Sequence, residues 1–451
     1  MSDRLFGTDG VRGLANGLLT AQLATSLGVA AAQVLAKRGE LTKHNSHRPF
    51  AIVGRDPRIS GEFLQAAISA GLASAGVDVV DVGVVPTPAV AFLTDQTKAD
   101  LGVMISASHN AMPDNGIKFF ARGGQKLADE VEDEIERQLT ASNELPTGAD
   151  VGNIRQDHDL VEKYIDHLLG SIDNSLSGLK VVVDGANGSA SLIGPEALRR
   201  AGAQVITIHC EPDGLNINAG CGSTHMEDLF AAVAEHGADV GVAHDGDADR
   251  FLAVAEDGSF VDGDQILAIL ASGRKEVGAL VGNTVVATVM SNLGFTLAMK
   301  EKQIDVVATS VGDRYVLEAM RDKGFTIGGE QSGHVILSEY ATTGDGILTA
   351  LHVLNEMKRT GKSLSELANV VTRLPQVLVN VKGVDKLKVK NEKLVAAVEQ
   401  AEHELGQTGR VLLRPSGTEP LIRVMVEATS QEQAQNVADK LAQIVKDTCS
   451  L

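Results

Sequence analysis

Two stretches decide the fold: "ADLGVMISASHN" (residues 99–110) and "ADVGVAHDGDADR" (residues 238–250). Each opens on Ala-Asp, continues as a glycine-containing apolar strand and ends in a loop crowded with reactive groups. Each also follows the same preamble of strand, turn, helix, glycine and strand. For the second copy that preamble is "LKVVVDGANGSASLIGPEALRRAGAQVITI" (179–208). A third, weaker copy runs from "NTVVATVMSNLGFTLAMKEKQIDVVATS" (283–310) to "FTIGGEQSGH" (325–334). Short apolar strands alternating with amphipathic helices predict an α/β fold with mixed or parallel sheets. Ligands of such sheets gather beyond the C-terminal ends of the strands, so the three loops are expected to face one cleft.

Outside the repeats, Thr20 reads as an N-cap for a helix carried by Leu23, Leu27, Ala30 and Val34 and stopped by Gly39. The polar segment 40–49 reads as a surface insertion, and "AIVG" (51–54) and "VDVVDVGVV" (77–85) as strands. The tail differs in kind. "QVLVNVKG" (376–383), a charged helix over about 388–403, "GRVLLRPSGTEPLIRVMVEA" (409–428) and a last helix over about 431–447 predict a small separate α+β domain. The expected segments are 1–153, 154–256, 257–372 and 373–451.

Composition narrows the classes of function. With 451 residues and 43% hydrophobic content the chain is globular and multidomain, and no apolar run is long enough to cross a bilayer. The N-terminus leads straight into a polar glycine motif, which makes the cytoplasm the expected location. Three unpatterned cysteines, Cys210, Cys221 and Cys449, suggest ordinary reduced thiols. A net charge of −19 argues against nucleic acid as a partner, and 3% aromatic content with no tryptophan argues against a base-stacking platform.

Chemistry concentrates in the loops. In "HDGDADR" (244–250), Asp245, Asp247 and Asp249 alternate through a tight turn and can converge on a hard cation such as Mg²⁺. An EF-hand fails, because Arg250 stands where that loop needs glycine and the flanks read as strands. A solvated acidic turn would leave three like charges in mutual repulsion. In "ISASHNAMPDNGIK" (105–118), Ser108 lacks the Gly-x-Ser-x-Gly frame of a hydrolase elbow, and His109 beside it need not point the same way. A phosphoserine held on the metal of the second loop suits Ser108 better, with Lys118 as a nearby cation. The competing reading is a hydroxyl that merely caps the next element. "RPSGTEPLIR" (414–423) has the parts of a phosphate cradle: Arg414, Ser416, Gly417, Thr418 and Arg423. "GGEQSGH" offers Glu330, Ser332 and His334, a donor–acceptor set suited to sugar hydroxyls. "FGTDGVRG" (6–13) and "GRDPRISG" (54–61) place arginines in glycine-rich turns. Arg12 is the one expected to reach a phosphate, whereas Arg55 and Arg58 could equally be structural ion pairs.

Taken in order, "FGTDGVRG", "SASHN…DNGIKFF", "DGDADR", "VGDRYV", "GEQSGH" and "RPSGTEPLIRVM" closely resemble the α-D-phosphohexomutase superfamily over essentially the whole chain, and favour its glucosamine branch. That resemblance implies four domains, three of them topologically related, around one deep cleft. It implies that Ser108 is a phosphoserine whose phosphate, with Asp245, Asp247 and Asp249, binds one Mg²⁺ per site. Glu330 and Ser332 would hold the sugar. Arg414, Ser416, Gly417, Thr418 and Arg423 would grip the non-reacting phosphate. Lys118, His109, Arg12 and Arg250 would surround the moving phosphoryl group, with Lys118 or His334 carrying the proton. The implied reaction interconverts glucosamine 6-phosphate and glucosamine 1-phosphate through glucosamine 1,6-bisphosphate, intermediate and activator at once. It would feed UDP-N-acetylglucosamine and peptidoglycan precursors, and a homodimer is common in the family. The alternatives are a phosphoglucomutase or phosphomannomutase, and a catalytically silent sugar-phosphate sensor. Two positions depart from the family pattern: Ala111 stands where proline is usual after Ser-His-Asn, and Ser310 where the glucosamine members usually have lysine.

Overall fold

Ala51–Val53, Val181–Val183 and Val285–Ala287 are fully buried. An unbroken apolar run covered on both faces is what the centre of a parallel sheet requires. The computed structural model describes residues 4–7, 9–41, 48–141, 144–415 and 421–450, and each run is a central strand in it. The first sheet contains β1 (Val11–Leu14), β2 (Phe50–Arg55), β3 (Asp78–Val84), β4 (Leu101–Ile105), β5 (Asp114–Ala121), β6 (Gln125–Lys126) and β7 (Ile154–Gln156). Their order is β1-β5-β4-β2-β3-β7, with β6 on β5. The second contains β8 (Lys180–Asp184), β9 (Gln204–Ile208), β10 (Val240–Ala243), β11 (Leu252–Ala255) and β12 (Phe260–Val261), in the order β12-β11-β10-β8-β9. The third contains β13 (Thr284–Thr288), β14 (Asp305–Thr309), β15 (Ile327–Gly329) and β16 (Val335–Leu337), in the order β14-β13-β15-β16.

Without their edge additions the three sheets share one topology: β5-β4-β2-β3, β11-β10-β8-β9 and β16-β15-β13-β14. In each, the third strand lies parallel to the first, and the fourth turns back antiparallel to the third. The repetition read from the sequence is therefore structural. The turn between third and fourth strands is the serine loop in the first copy, the aspartate loop in the second and "EQSG" in the third.

Local signals act as the sequence suggests. Thr20 caps the helix Ala21–Lys37 by accepting from the Leu23 amide, and Gly39 leaves it with φ +73°. That helix buries Leu27, Ala30, Ala31, Val34 and Leu35 against the first sheet's core. Within the polar segment 40–49, residues 42–47 lie outside the described residues. Among the described residues no helix is long and apolar enough to cross a membrane.

The chain packs as two units, Met1–Val289 with Val307–Ala368, and Met290–Val306 with Asn369–Leu451. The second holds an antiparallel sheet of β17 (Gln376–Lys382), β18 (Arg410–Pro415) and β19 (Leu421–Glu427), ordered β17-β19-β18. Helices Glu392–Leu405 and Gln431–Cys449 cover it over a core that includes Val381, Leu394, Val424, Leu441 and Val445. The charged helix starts later than its composition suggests, because Asn391 caps it by accepting from the Lys393 amide. The unit also includes the helix Leu293–Glu301. Buried Glu427 accepts from the Leu293 amide (2.8 Å) and from Arg410 Nε (2.8 Å), while Asn292 exchanges hydrogen bonds with the backbone of Leu374 (both 3.0 Å).

Candidate active site

The hairpin turns of the first two sheets meet. Ser108, in the loop after β4, is 1% exposed and has φ 52°, a left-handed conformation that a loop must impose on a residue other than glycine. Its Oγ donates to Asp245 Oδ2 at 2.5 Å, although 137 positions separate the two in the chain. The aspartate loop approaches so closely that a Cβ on Gly246 would lie 2.6 Å from the Ser108 carbonyl oxygen. Glycine at that position is a condition of the meeting. His109 Nδ1 lies 3.4 Å from Ser108 Oγ.

Asp245, Asp247 and Asp249 are buried, each offering an oxygen within 4.8 Å of the others. Their surroundings differ. Asp247 Oδ2 accepts from Thr87 Oγ1 (2.6 Å) and Lys118 Nζ (2.8 Å). Burial pulls the Asp247 carboxyl up, but Lys118 and these two hydrogen bonds more than reverse it and bring its pKa to about 2. Asp249 has only longer cation approaches, Lys118 at 3.8 Å and Arg250 at 3.9 Å; burial and the charges of Asp247 and Asp245 push it up to about 8. Asp247 Oδ1 and Asp249 Oδ1 are buried without a hydrogen-bond partner among the described residues. Orphaned carboxylate oxygens are rare inside proteins. An all-oxygen set of this kind, two of its atoms unsatisfied, fits a hard divalent cation such as Mg²⁺.

Cations ring the triplet. Lys118 lies on β5, 2.9 Å from Asp9 and 2.8 Å from Asp247. Burial alone would drive off its proton, but Asp247 and Asp9 hold its pKa far above the usual lysine range. Arg12, on β1, pairs with Asp9, and its Nε is buried without a hydrogen-bond partner among the described residues. Among the described residues Arg250 Nε is also buried without a hydrogen-bond partner, 3.9 Å from Asp249 and 4.0 Å from Asp245. These cations and burial hold the His109 imidazole down at about 4: burial contributes most, then Arg250 and Arg12.

The third copy completes the constellation. A bridge pairs Arg250 with His334, and the Phe251 amide donates to the Gly333 carbonyl at 3.0 Å. A Cβ on Gly333 would lie 2.3 Å from the Phe251 carbonyl oxygen, so the "EQSGH" turn needs glycine there. Glu330 Oε1 accepts from the Gly312 amide at 3.0 Å. Ser332 Oγ and His334 Nδ1 are buried without a hydrogen-bond partner among the described residues. All three polar loops therefore contribute to one region of the first unit.

In the second unit, Arg414 on β18 and Arg423 on β19 are direct cross-strand partners. Like charges placed opposite repel unless an anion lies between them, and Arg423 Nε is buried without a hydrogen-bond partner among the described residues. Ser416, Gly417 and Thr418 lie outside the described residues.

Models of the phosphoglucomutase/phosphomannomutase alpha/beta/alpha domains I, II and III match residues 3–145, 162–258 and 262–374, and the model of its C-terminal domain matches 378–444. A phosphoglucosamine mutase of Thermobifida fusca is 65% identical over 449 residues, covering 99% of both chains. One of a Nocardioides species is 64% identical, covering 99% of this chain and all of its own. The chain belongs to the phosphoglucomutase/phosphomannomutase family. A phosphoglucomutase/phosphomannomutase family protein of Burkholderia thailandensis superposes with a TM-score of 0.82 at 25% identity, covering 99% and 98% of the two chains. Aspergillus fumigatus N-acetylphosphoglucosamine mutase, solved with GlcNAc-6P and magnesium, shares the fold at a TM-score of 0.70 and 19% identity, covering 99% and 96%.

Four residues of this family member escaped the sequence reading: Asp9, Thr87, Lys126 and Asn218. Asp9 sits inside the quoted "FGTDGVRG" and links Arg12, Lys118 and Lys126, the last at 3.3 Å. Lys126 also pairs with Asp313 of "VGDRYV" at 3.2 Å, joining the first copy to the third. An aspartate next to a glycine is ordinary turn composition, so only its place beside Arg12 could have drawn attention to it.

Proposed function

We propose that this protein is a phosphoglucosamine mutase, interconverting glucosamine 6-phosphate and glucosamine 1-phosphate. The observation that carries the reading is the Ser108 hydroxyl at 2.5 Å from an aspartate of a buried three-carboxylate loop, with Lys118, Arg12 and Arg250 around it. The 62–65% identity to proteins of that name over nearly the whole chain supports the choice of sugar.

In this reading phosphorylated Ser108 passes its phosphoryl group to O1 of glucosamine 6-phosphate. The bond to Ser108 Oγ breaks as the bond to the sugar oxygen forms, giving glucosamine 1,6-bisphosphate. The bisphosphate turns end for end in the site, and its 6-phosphoryl group returns to Ser108. Asp245, Asp247 and Asp249 would hold Mg²⁺ together with the serine phosphate. When bound, the ion would neutralise phosphoryl charge and fix the orientation of the oxygens. Arg12, Lys118 and Arg250 add fixed positive charge around the moving group. A proton must leave the sugar hydroxyl as it attacks. Lys118 is held as an ammonium between two carboxylates, whereas His334 has a buried ring nitrogen without a partner among the described residues; that contrast favours His334 as the carrier. Glu330 and Ser332 are assigned to the sugar. Arg414 and Arg423, with Ser416, Gly417 and Thr418, are assigned to the phosphate that is not reacting. A cytoplasmic location fits a precursor pathway of this kind.

Intact mass provides the test. A fraction of the purified protein should carry one extra phosphoryl group, lost on addition of excess glucosamine 6-phosphate, and Ser108→Ala should lack both that mass and turnover. Near-wild-type turnover by Ser108→Ala would discard the reading. Faster turnover of glucose or mannose phosphates would reassign the substrate within the family.

A further inference from the structure

Arg58 is the bulkiest fully buried side chain among the described residues. Burying a guanidinium is costly, and stability alone is often better served by an apolar group of similar volume. Its contacts show what the cation does. Nη2 donates to the carbonyls of Ser108 (3.0 Å) and Asn110 (2.8 Å), and Nη1 to those of Ala111 (2.6 Å) and Asp114 (3.1 Å). Nε donates to Asp56 Oδ2 at 2.9 Å. One side chain therefore satisfies four carbonyls of the serine loop. A planar fork of five donors can do this, and a lysine ammonium with three cannot.

The cage closes on Ser108 from both ends of its peptide. Asp56 Oδ2 also accepts from Ser106 Oγ (2.6 Å), and Ser106 Oγ accepts from the Ser108 amide (3.0 Å). The N–H of Ser108 is thus tied to Asp56 through Ser106, and its carbonyl through Arg58. From the second repeat, Asn218 Nδ2 donates to the same two carbonyls, Ser108 (2.8 Å) and Asn110 (3.0 Å). The grip uses the carbonyl of Ala111, which a proline there would supply equally, so this departure from the family pattern leaves the cage intact.

We propose that Arg58, seconded by Asn218, is a positioning residue for phosphoryl transfer. It holds the backbone of Ser108 in its left-handed turn so that Oγ keeps its place beside Asp245 through both halves of the reaction. The inference rests on the reading of Ser108 as the phosphorylated nucleophile. Without the shared cation a doubly charged phosphoserine and the aspartates repel, and the charge on Ser108 changes as the phosphoryl group leaves and returns, so the backbone beneath it must hold Oγ in place. Phosphoryl transfer depends chiefly on positioning and fixed charge, so a loosened loop should slow the chemistry and leave sugar binding alone.

The test compares Arg58→Lys and Asn218→Ala with wild type and Ser108→Ala, all as full chains with Mg²⁺. Arg58→Lys should lower kcat by about 100-fold and Asn218→Ala by about 10-fold, the scale of a small misplacement of a reacting group. KM for glucosamine 6-phosphate should stay within about twofold in both, since the cage does not touch the sugar. Wild-type kcat in either folded variant, or a raised KM with kcat unchanged, would overturn the proposal. If Arg58→Lys fails to fold, Asn218→Ala decides alone, because its side chain is only partly buried. Turnover that persists in Ser108→Ala would remove the functional reading beneath the inference. An inactive Ser108→Ala beside fully active Arg58→Lys and Asn218→Ala would sink the inference alone.

Discussion

Asp247 and Asp249 sit two positions apart in one loop, yet the first is held near 2 and the second near 8. The cause is tertiary: Thr87 and Lys118 reach Asp247 from the first repeat with short hydrogen bonds, while Asp249 has only the longer approaches of Lys118 and Arg250. Replacing Asp247 by Asn would remove a cation ligand and take a counter-charge from Lys118 together. Activity should fall by at least about 100-fold, and the stabilisation of the fold by Mg²⁺ should shrink with it. Mg²⁺ titrations of turnover and of the thermal midpoint both report this; unchanged titrations would reject the metal assignment. The reactive loops themselves were legible, because Ser108 and the aspartates stand in dense local patterns. Thr87, Lys126 and Asn218 were not. Each is a single polar residue in ordinary surroundings, and only the folded chain shows what it touches.

Elements were legible where they are long or capped. The central strands betray themselves by unbroken apolar runs, and the first helix by Thr20 and its apolar spacing. The strands Val11–Leu14, Gln125–Lys126, Ile154–Gln156 and Phe260–Val261 left no such trace. A strand of two to four residues exists because a neighbour offers it a ladder, and no local propensity records that. One helix start makes a prediction. Asp345 caps the helix Gly346–Thr360 by accepting from the Leu348 amide, and also accepts from Tyr164 Oη at 2.8 Å. Burial pushes its carboxyl up to about 6, against the opposing hydrogen bonds from Leu348 and Tyr164. The fold therefore favours the protonated acid. Its stabilising contribution is complete below the ordinary carboxyl range and is lost as pH rises through 6. Asn keeps one acceptor oxygen for the Leu348 amide, offers the Tyr164 hydroxyl an amide donor in place of Oδ2, and cannot ionise. Relative to wild type, Asp345→Asn should gain about 1.4 kcal/mol of unfolding free energy between pH 5 and pH 8. Denaturant unfolding at the two pH values measures it; a constant difference would contradict the pKa.

At the scale of the whole molecule, the repeat could be read in the sequence because each copy returns to the same strand-and-loop phrase. What the sequence could not show is how those loops interlock, with Gly246 against Ser108 and Gly333 against Phe251, since close approach is a property of backbones rather than of residue patterns. The opposed arginines of the small sheet lead to a further prediction. If Arg423 grips the idle phosphate, Arg423→Gln should raise KM by about 10-fold with kcat nearly unchanged. Steady-state kinetics decides; a large fall in kcat at constant KM would place Arg423 with the reacting group instead. Packing and chain order disagree in one place. The helix Leu293–Glu301 belongs by packing to the unit formed by the tail, and Asn292 and Glu427 lock its first turn there. A gene cut after codon 372 would therefore not yield two tidy halves. The longer product would keep a helix capped by Asn292 but without the Glu427 that accepts from its Leu293 amide and the Leu374 backbone that holds Asn292. The shorter product would carry Glu427 with Arg410 but without the amide it was folded to receive. Residues 290–306 would have to travel with the tail before either fragment could be expected to stand alone.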